Sequence, residues 1–125
     1  MSGLEIKSSN LLTLGKTKMS NYRPDKWMLV KIEGTDPHYR VFGSWIKGNP
    51  FNGDDWRLNS GIVKVTEDDK KYYFEGHSGS TYECWKDSYG ATAYGQSVVK
   101  NYTHDLFVPL DTQPSSIMDI DWIIA

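Results

Sequence analysis

Short runs of alternating apolar and polar residues, separated by clusters of turn-forming residues, constrain the fold of this chain most strongly. Met28, Val30 and Ile32 alternate with polar neighbours. A Gly-Thr-Asp-Pro turn at 34–37 then leads into a second run at 39–46. Because successive side chains of a strand point to opposite faces, two such runs joined by a turn predict a β-hairpin.

Similar runs continue the pattern towards the C-terminus. The further strands that we expect are a third from Trp56, a fourth around Tyr72 and Phe74, a fifth at 80–86 and a last one at 118–124. In the third run the apolar face switches after Ser60, which predicts a β-bulge at Gly61. Alternation places Tyr73, Tyr82 and Cys84 on one face and Tyr72, Phe74 and Trp85 on the other.

One segment has helical periodicity instead. Tyr94, Val98, Tyr102 and Leu106 recur every four residues after Thr92, a good N-cap residue, which predicts a short amphipathic helix. The expected fold class is α+β: a twisted antiparallel sheet of five or six strands with one short helix packed on it. We expect residues 1–21 to form a flexible arm or an edge strand and residues 22–125 to form a single ligand-binding domain.

Composition narrows the environment and the partners. The chain has 125 residues, a net charge of -2 and a pI near 5.9, which do not favour duplex nucleic acid as a partner. It has one cysteine, Cys84, and neither a signal-peptide pattern nor an apolar run of about 20 residues. We therefore expect a cytoplasmic protein with no membrane partner.

Catalytic and metal-binding patterns are weak. His38, His77 and His104 lie far apart and show no metal-ligand spacing. Cys84 lies in the middle of a predicted strand, and its one potential partner, His77, has no third group to orient it. We therefore expect no enzyme activity, no metal and no cofactor.

The segment 56–94 combines aromatic rings, small hydroxyls and glycines, which is typical of a binding surface. Two places in it are candidate anion sites. The turn at 77–80 predicts either a nest of backbone N–H groups or a plain hairpin turn. The glycines at the start of the helix, in 89–97, allow either an anion at the helix dipole or close packing alone.

Part of the chain also resembles a known family. The motifs concerned are Gly43-Ser44-Trp45, Asp55 to Ile62, Tyr73 to Tyr82 and Lys86 to Gly90. They are similar to the small phage proteins that counter Thoeris immunity, the first Thoeris anti-defence family. The resemblance implies a sheet-plus-helix protein that captures a cyclic ADP-ribose isomer without cleaving it, forms a dimer or larger homo-oligomer, and in some members takes up cyclic trinucleotides. It also implies arginines near the C-terminal helix, where this chain has Lys100 and His104.

These considerations give a leading hypothesis for the site. Rings of Trp45, Tyr82 or Tyr89 would stack on a base, Arg57 and Lys86 would contact phosphate or ribose oxygens, and Asn59, His77 and Ser80 would orient the ligand. The alternatives are a protein-interaction module that blocks a host protein through its aromatic face, and a carbohydrate-binding domain in which exposed rings stack on sugars.

Overall fold

The fold comes from a computed structural model that describes residues 21–48 and 55–122. The predictions for residues 1–20 and for the end of the last strand, 123–124, lie outside the described residues. The strands are β1 (Asn21–Tyr22), β2 (Lys26–Ile32), β3 (His38–Ser44), β4 (Trp56–Leu58), β5 (Ile62–Glu67), β6 (Lys71–Gly76), β7 (Thr81–Trp85) and β8 (Phe107–Pro109), and the α-helix is α1 (Ala93–Tyr102).

The described strands form two sheets of four. Their orders are β1-β7-β6-β5 and β4-β3-β2-β8. The predicted α+β class is confirmed, but the prediction of one sheet of five or six strands is wrong. All pairs are antiparallel except β1 with β7, which is parallel.

The chain changes sheet between β4 and β5, where a single third strand was predicted. Leu58 ends β4 in one sheet, and Ile62 begins β5 in the other. Gly61 makes this crossing possible because its φ of +124° is strained for other residues. The switch of apolar face therefore reflects a change of sheet. A ladder irregularity does occur, but it lies between Ile62 and Lys64, just beyond the predicted position.

Two apolar clusters hold the layers together. Between the sheets, Trp27 of β2 lies 5.4 Å from the ring of Phe74 on β6, and both are fully buried. On the other face of β2, Met28 and Val30 pack against Val98 and Val99 of α1. Both faces of β2 are thus covered, which makes it the central strand of a three-layer arrangement: sheet, sheet and helix.

Of three predictions for single elements, two are confirmed and one is wrong. The hairpin is confirmed, with seven residue pairs from Lys26↔Ser44 to Ile32↔His38. The helix is confirmed with Thr92 as its N-cap, because the Thr92 hydroxyl accepts a hydrogen bond from Gly95 N–H. The last strand is wrong: Ile117–Asp119 form a 3₁₀ turn that buries Ile117.

The predicted division of rings between two faces is also wrong. The register pairs Phe74 with Tyr82 and Tyr72 with Cys84, so these four side chains share the face that meets the other sheet. Lys71 pairs with Trp85, which therefore lies on the outer face. The prediction aligned the two strands one residue out of register.

Candidate functional site

A small polar cleft lies where the chain crosses from one sheet to the other. It has a volume of about 130 Å³. The described residues that line it are Tyr22, Arg57, Leu58, Asn59, Ser60, Gly76, Ser78, Ser80 and Tyr82. We call it the polar cleft. It brings together Arg57, Asn59, Ser80 and Tyr82, which are four of the eight residues predicted from the sequence to bind a ligand.

Asn59 is the most informative residue of the polar cleft. Its side chain extends the ladder beside β3, because Oδ1 accepts hydrogen bonds from Val41 N–H at 2.8 Å and from Gly61 N–H at 3.4 Å. These two donors fix the orientation of the amide. The residue is 3% exposed, yet its Nδ2 has no hydrogen-bond partner. A buried donor without a partner lowers the stability of the fold by about 1–3 kcal/mol, so the unpaired Nδ2 calls for an explanation.

A pair of serines lies beside Asn59. Ser60 Oγ accepts a hydrogen bond from Ser78 N–H at 2.8 Å and donates one to Ser78 Oγ at 3.1 Å. The proton of the Ser78 hydroxyl is therefore directed to a further acceptor. The amides of His77, Ser78 and Gly79 all have acceptors within the protein, so the turn at 77–80 is a hairpin turn and does not form an anion nest.

Arg57 supplies the positive charge of the polar cleft. It lies on β4 with its guanidinium 5.0 Å from the ring centre of Tyr22, and it hydrogen bonds to the hydroxyl of Tyr82. Burial raises the pKa of Tyr82, and the nearby Arg57 only partly opposes this effect. Tyr82 therefore keeps its proton at neutral pH. Of the described residues that line the cleft, Arg57 alone carries a charge.

The prediction that one of three rings stacks on a base is not supported by their positions. Tyr82 is 1% exposed and packs on Tyr22, and Trp45 and Tyr89 belong to the structural framework. Trp45 is 4% exposed, and its Nε1 donates to the carbonyl oxygen of Arg23 at 3.0 Å. The Tyr89 hydroxyl donates to the carbonyl oxygen of Leu110 at 2.6 Å and accepts from Leu29 N–H at 3.1 Å. Burial raises the pKa of Tyr89 to about 12. The rings of Trp45 and Tyr89 lie outside the polar cleft, with their polar atoms already paired.

Lys86 and His77 also lie outside the polar cleft. Lys86 forms an ion pair with Glu67 at 2.7 Å, a hydrogen bond that raises the pKa of Lys86. His77 is exposed and lines a separate cavity of about 310 Å³ with Arg40 and Trp122. In that cavity Trp122 Nε1 is a second buried donor without a partner.

A larger groove lies on the other side of β4, between that strand and α1, and was not identified from the sequence. Its volume is about 750 Å³. The described lining residues are Phe42, Asp55, Trp56, Arg57, Leu58, Tyr94, Tyr102 and Phe107. We call it the aromatic groove. Tyr94 and Tyr102 are 58% and 52% exposed, and these exposed helix rings were the signal that could have revealed it.

Trp56 forms the floor of the aromatic groove. Its ring stacks on Phe42 at 5.5 Å with an angle of 16° between the planes, and it lies 5.9 Å from Tyr102. The groove is within the size range of about 300–1,000 Å³ that small-molecule sites occupy. Arg57 and Leu58 line both this groove and the polar cleft.

The remaining reactive groups are enclosed or dispersed. Cys84 is fully buried, and burial raises the pKa of its thiol well above the ordinary value. Among residues 21–48 and 55–122, no three histidine, cysteine or acidic side chains are grouped to hold a metal ion.

Gly95 at the start of α1 packs closely on Ser44, where a Cβ would lie 3.0 Å from the Ser44 Cβ. Close packing thus accounts for this glycine.

No helix in the described part of the chain has the length and apolar character needed to cross a membrane. Comparison with protein-family models, curated proteins and solved structures gives no match to this chain.

Proposed function

We propose that this protein binds a cyclic nucleotide signal without cleaving it and thereby withdraws the signal from a host defence pathway. The expected ligands are cyclic ADP-ribose isomers and, by extension, cyclic oligonucleotides. One observation carries the proposal: four side chains predicted to bind a ligand, from separate parts of the sequence, meet in the polar cleft, and Arg57 joins that cleft to a ring-lined groove.

The two regions offer the two kinds of contact that a nucleotide needs. Exposed rings of the aromatic groove suit base stacking, which contributes about 1–3 kcal/mol per base. A hydrogen bond from a charged donor such as Arg57 contributes about 1.5–3 kcal/mol. A ligand with both a flat ring and negative charge would therefore span the edge of β4.

Tight capture also needs enclosure. Nanomolar binding corresponds to about 12 kcal/mol, which a ligand exposed on one side rarely reaches. The polar cleft holds about 130 Å³, which is too little for a whole nucleotide. A homo-oligomer, a dimer or larger, in which a second copy covers the edge of β4 would complete the enclosure. The proposal places this assembly in the cytoplasm of a phage-infected or prophage-carrying host.

A thermal-shift panel tests the proposal. Cyclic ADP-ribose isomers and cyclic oligonucleotides are added to the purified protein, and a ligand that binds only the folded state must raise Tm. We expect a rise of several degrees with at least one member, and recovery of that ligand intact after heating. Absence of any shift across the panel would contradict the function.

Arg57→Gln provides the matched variant. Loss of its charge should abolish the ligand-induced shift, whereas Arg23→Gln, which removes an exposed charge paired with Glu83, should keep it. The Tm of each variant without ligand shows whether the fold is intact. An Arg57→Gln protein that binds as tightly as the wild type would remove Arg57 from the site.

A second candidate function is protein interaction through the aromatic groove. The observation that favours it is the exposure of Tyr94 and Tyr102 beside Trp56, since tyrosine and tryptophan are enriched at interface hot spots. In that case Tyr94→Ala with Tyr102→Ala would abolish co-purification of a host protein, while the nucleotide panel would give no shift.

A further inference from the structure

We infer that the polar cleft is a site for a single tetrahedral oxyanion, a phosphoryl or sulfuryl group, and that the Asn59 amide is one of its donors. This inference rests on the proposed function only in sharing the cleft. It assigns the chemical class of the group that the cleft holds. It also adds Ser78 and Gly76 to the residues on which binding in the cleft depends.

The polar cleft contains a buried donor without a partner. Asn59 Nδ2 is buried without a partner, while Oδ1 and the backbone of the same residue are fully engaged with β3 and Gly61. Rotation of the amide would lose both bonds to Oδ1, so Nδ2 stays aimed at the cleft wall beside Gly76. An acceptor that reaches Nδ2 through a small movement of this wall would satisfy it.

Gly76 packs closely against two polar atoms of the cleft. A Cβ at this position would lie 2.9 Å from Ser60 Oγ and 3.2 Å from Asn59 Nδ2, so Ser60 Oγ would have to move to accept any side chain. Gly76 lies within β6 with no positive φ, so backbone conformation does not require glycine there. Close packing therefore accounts for this glycine, which lets Ser60 and Asn59 lie together at the wall of the polar cleft.

The lining of the polar cleft combines one positive charge with several hydrogen-bond donors. Arg57 supplies the charge, Asn59 Nδ2 and the Ser78 hydroxyl supply neutral donors, and Tyr82 retains its proton. No described residue lining the cleft is a carboxylate. Several convergent donors and one positive charge suit an anion with several acceptor oxygens.

The polar cleft is small. Its volume of about 130 Å³ lies below the range of about 300–1,000 Å³ that small-molecule sites occupy. That size favours a single oxyanion over a ligand as large as a nucleotide. The rest of a phosphate-bearing ligand would have to lie outside the polar cleft.

Calorimetric titration with inorganic phosphate and with sulfate, against chloride at matched ionic strength, tests the inference on the full chain. We expect phosphate or sulfate binding that chloride does not reproduce. Asn59→Asp keeps an oxygen for Val41 and Gly61 but replaces the donor with a negative charge, so binding should weaken at least about tenfold. Asn101→Asp adds the same charge on the exposed surface of α1 and should leave binding within about twofold.

Two further variants keep the test decisive if Asn59→Asp folds poorly. Gly76→Ala should displace Ser60 Oγ and crowd Asn59 Nδ2, and should therefore weaken phosphate binding. Ser78→Ala should weaken it, whereas Ser97→Ala, on the exposed side of α1, should not. Phosphate affinity that is unchanged in both Gly76→Ala and Ser78→Ala would overturn the inference.

The result is separable from the proposed function. Phosphate binding that depends on Asn59 supports the inference even if no cyclic nucleotide binds. Cyclic nucleotide binding that is equal in the wild type and Asn59→Asp, with no competition from phosphate, would overturn it and leave the proposed function standing.

Discussion

The core between the two sheets and the polar cleft use similar residues, but they differ in how their polar atoms are paired. In the core, Trp27 Nε1 donates to the carbonyl oxygen of Trp85 at 2.6 Å, and the polar atoms of Trp45 and Tyr89 also have backbone partners. In the cleft, Asn59 Nδ2 has none. Aromatic and polar residues occur in both regions, so residue type alone does not separate framework from site.

Hydrogen-bond pairing separates these three framework rings from Asn59. The core is not uniform in this respect, because Trp122 also belongs to it and has an unpaired Nε1 beside the cavity that His77 lines. A paired indole or phenol adds both apolar burial and an anchor to the backbone, so it stabilises the fold. An unpaired buried amide carries a free-energy cost that a ligand can remove. Three substitutions test this contrast, beginning with the one that should lower the free energy of unfolding most.

Trp27→Ala should destabilise the protein most. The ring is fully buried, contacts Tyr72, Phe74 and Tyr89, and bonds to the carbonyl oxygen of Trp85. Removing it should lower the free energy of unfolding by about 3–5 kcal/mol in urea denaturation. Trp85→Ala is the control: this ring is 43% exposed, and its loss should cost less than about 1 kcal/mol. Equal losses would contradict the assignment of Trp27 to the core.

Tyr89→Phe should have an intermediate effect on stability and none on ligand binding. The change leaves the ring in place but removes the hydroxyl that joins Leu29 N–H to the Leu110 carbonyl. The free energy of unfolding should fall by about 1–3 kcal/mol. Tyr94→Phe, on an exposed ring of α1, serves as the control and should change it little. Weaker ligand binding without a loss of stability would place Tyr89 in the site instead.

Asp68→Asn should change the free energy of unfolding least, and the change should depend on pH. Hydrogen bonds from Tyr73, then from the amides of Lys70 and Lys71, lower the pKa of Asp68 to about 2. Because the folded pKa lies below the unfolded value of 3.8, the carboxylate contributes stability above that value and loses it as the pH falls towards 2. Denaturation at pH 7 and pH 2 measures this. The wild type should exceed the variant in stability only at the higher pH.

Local features of the fold were predictable from the sequence, whereas the arrangement of the sheets was not. The Thr92 cap and the hairpin at 34–37 depend on neighbouring residues, and both predictions were correct in kind. The crossing at Gly61 looked like a bulge, because a change of sheet and a change of face give the same local pattern. Burial of both faces of β2 depends on α1, which lies far away in the sequence.

The residue types of the candidate site could be predicted from the sequence, but their hydrogen-bond partners could not, because those partners are distant along the chain. Arg57, Asn59 and Ser80 were predicted for their hydrogen-bonding chemistry and Tyr82 as a stacking ring, and the fold places all four in the polar cleft. Trp45 and Tyr89 have the same chemistry, but their partners are backbone atoms of distant strands that a sequence does not reveal. The unpaired state of Asn59 Nδ2 is likewise a property of the three-dimensional structure.

The side-chain N–H signals in ¹H–¹⁵N correlation spectra, recorded while inorganic phosphate is added, test the central claim most directly. The Asn59 NH₂ signals should move progressively and saturate, while the paired indole signals of Trp27 and Trp45 stay in place. Stationary Asn59 signals would show that Nδ2 binds no anion. Movement of the Trp122 indole alone would instead place the anion in the cavity beside His77.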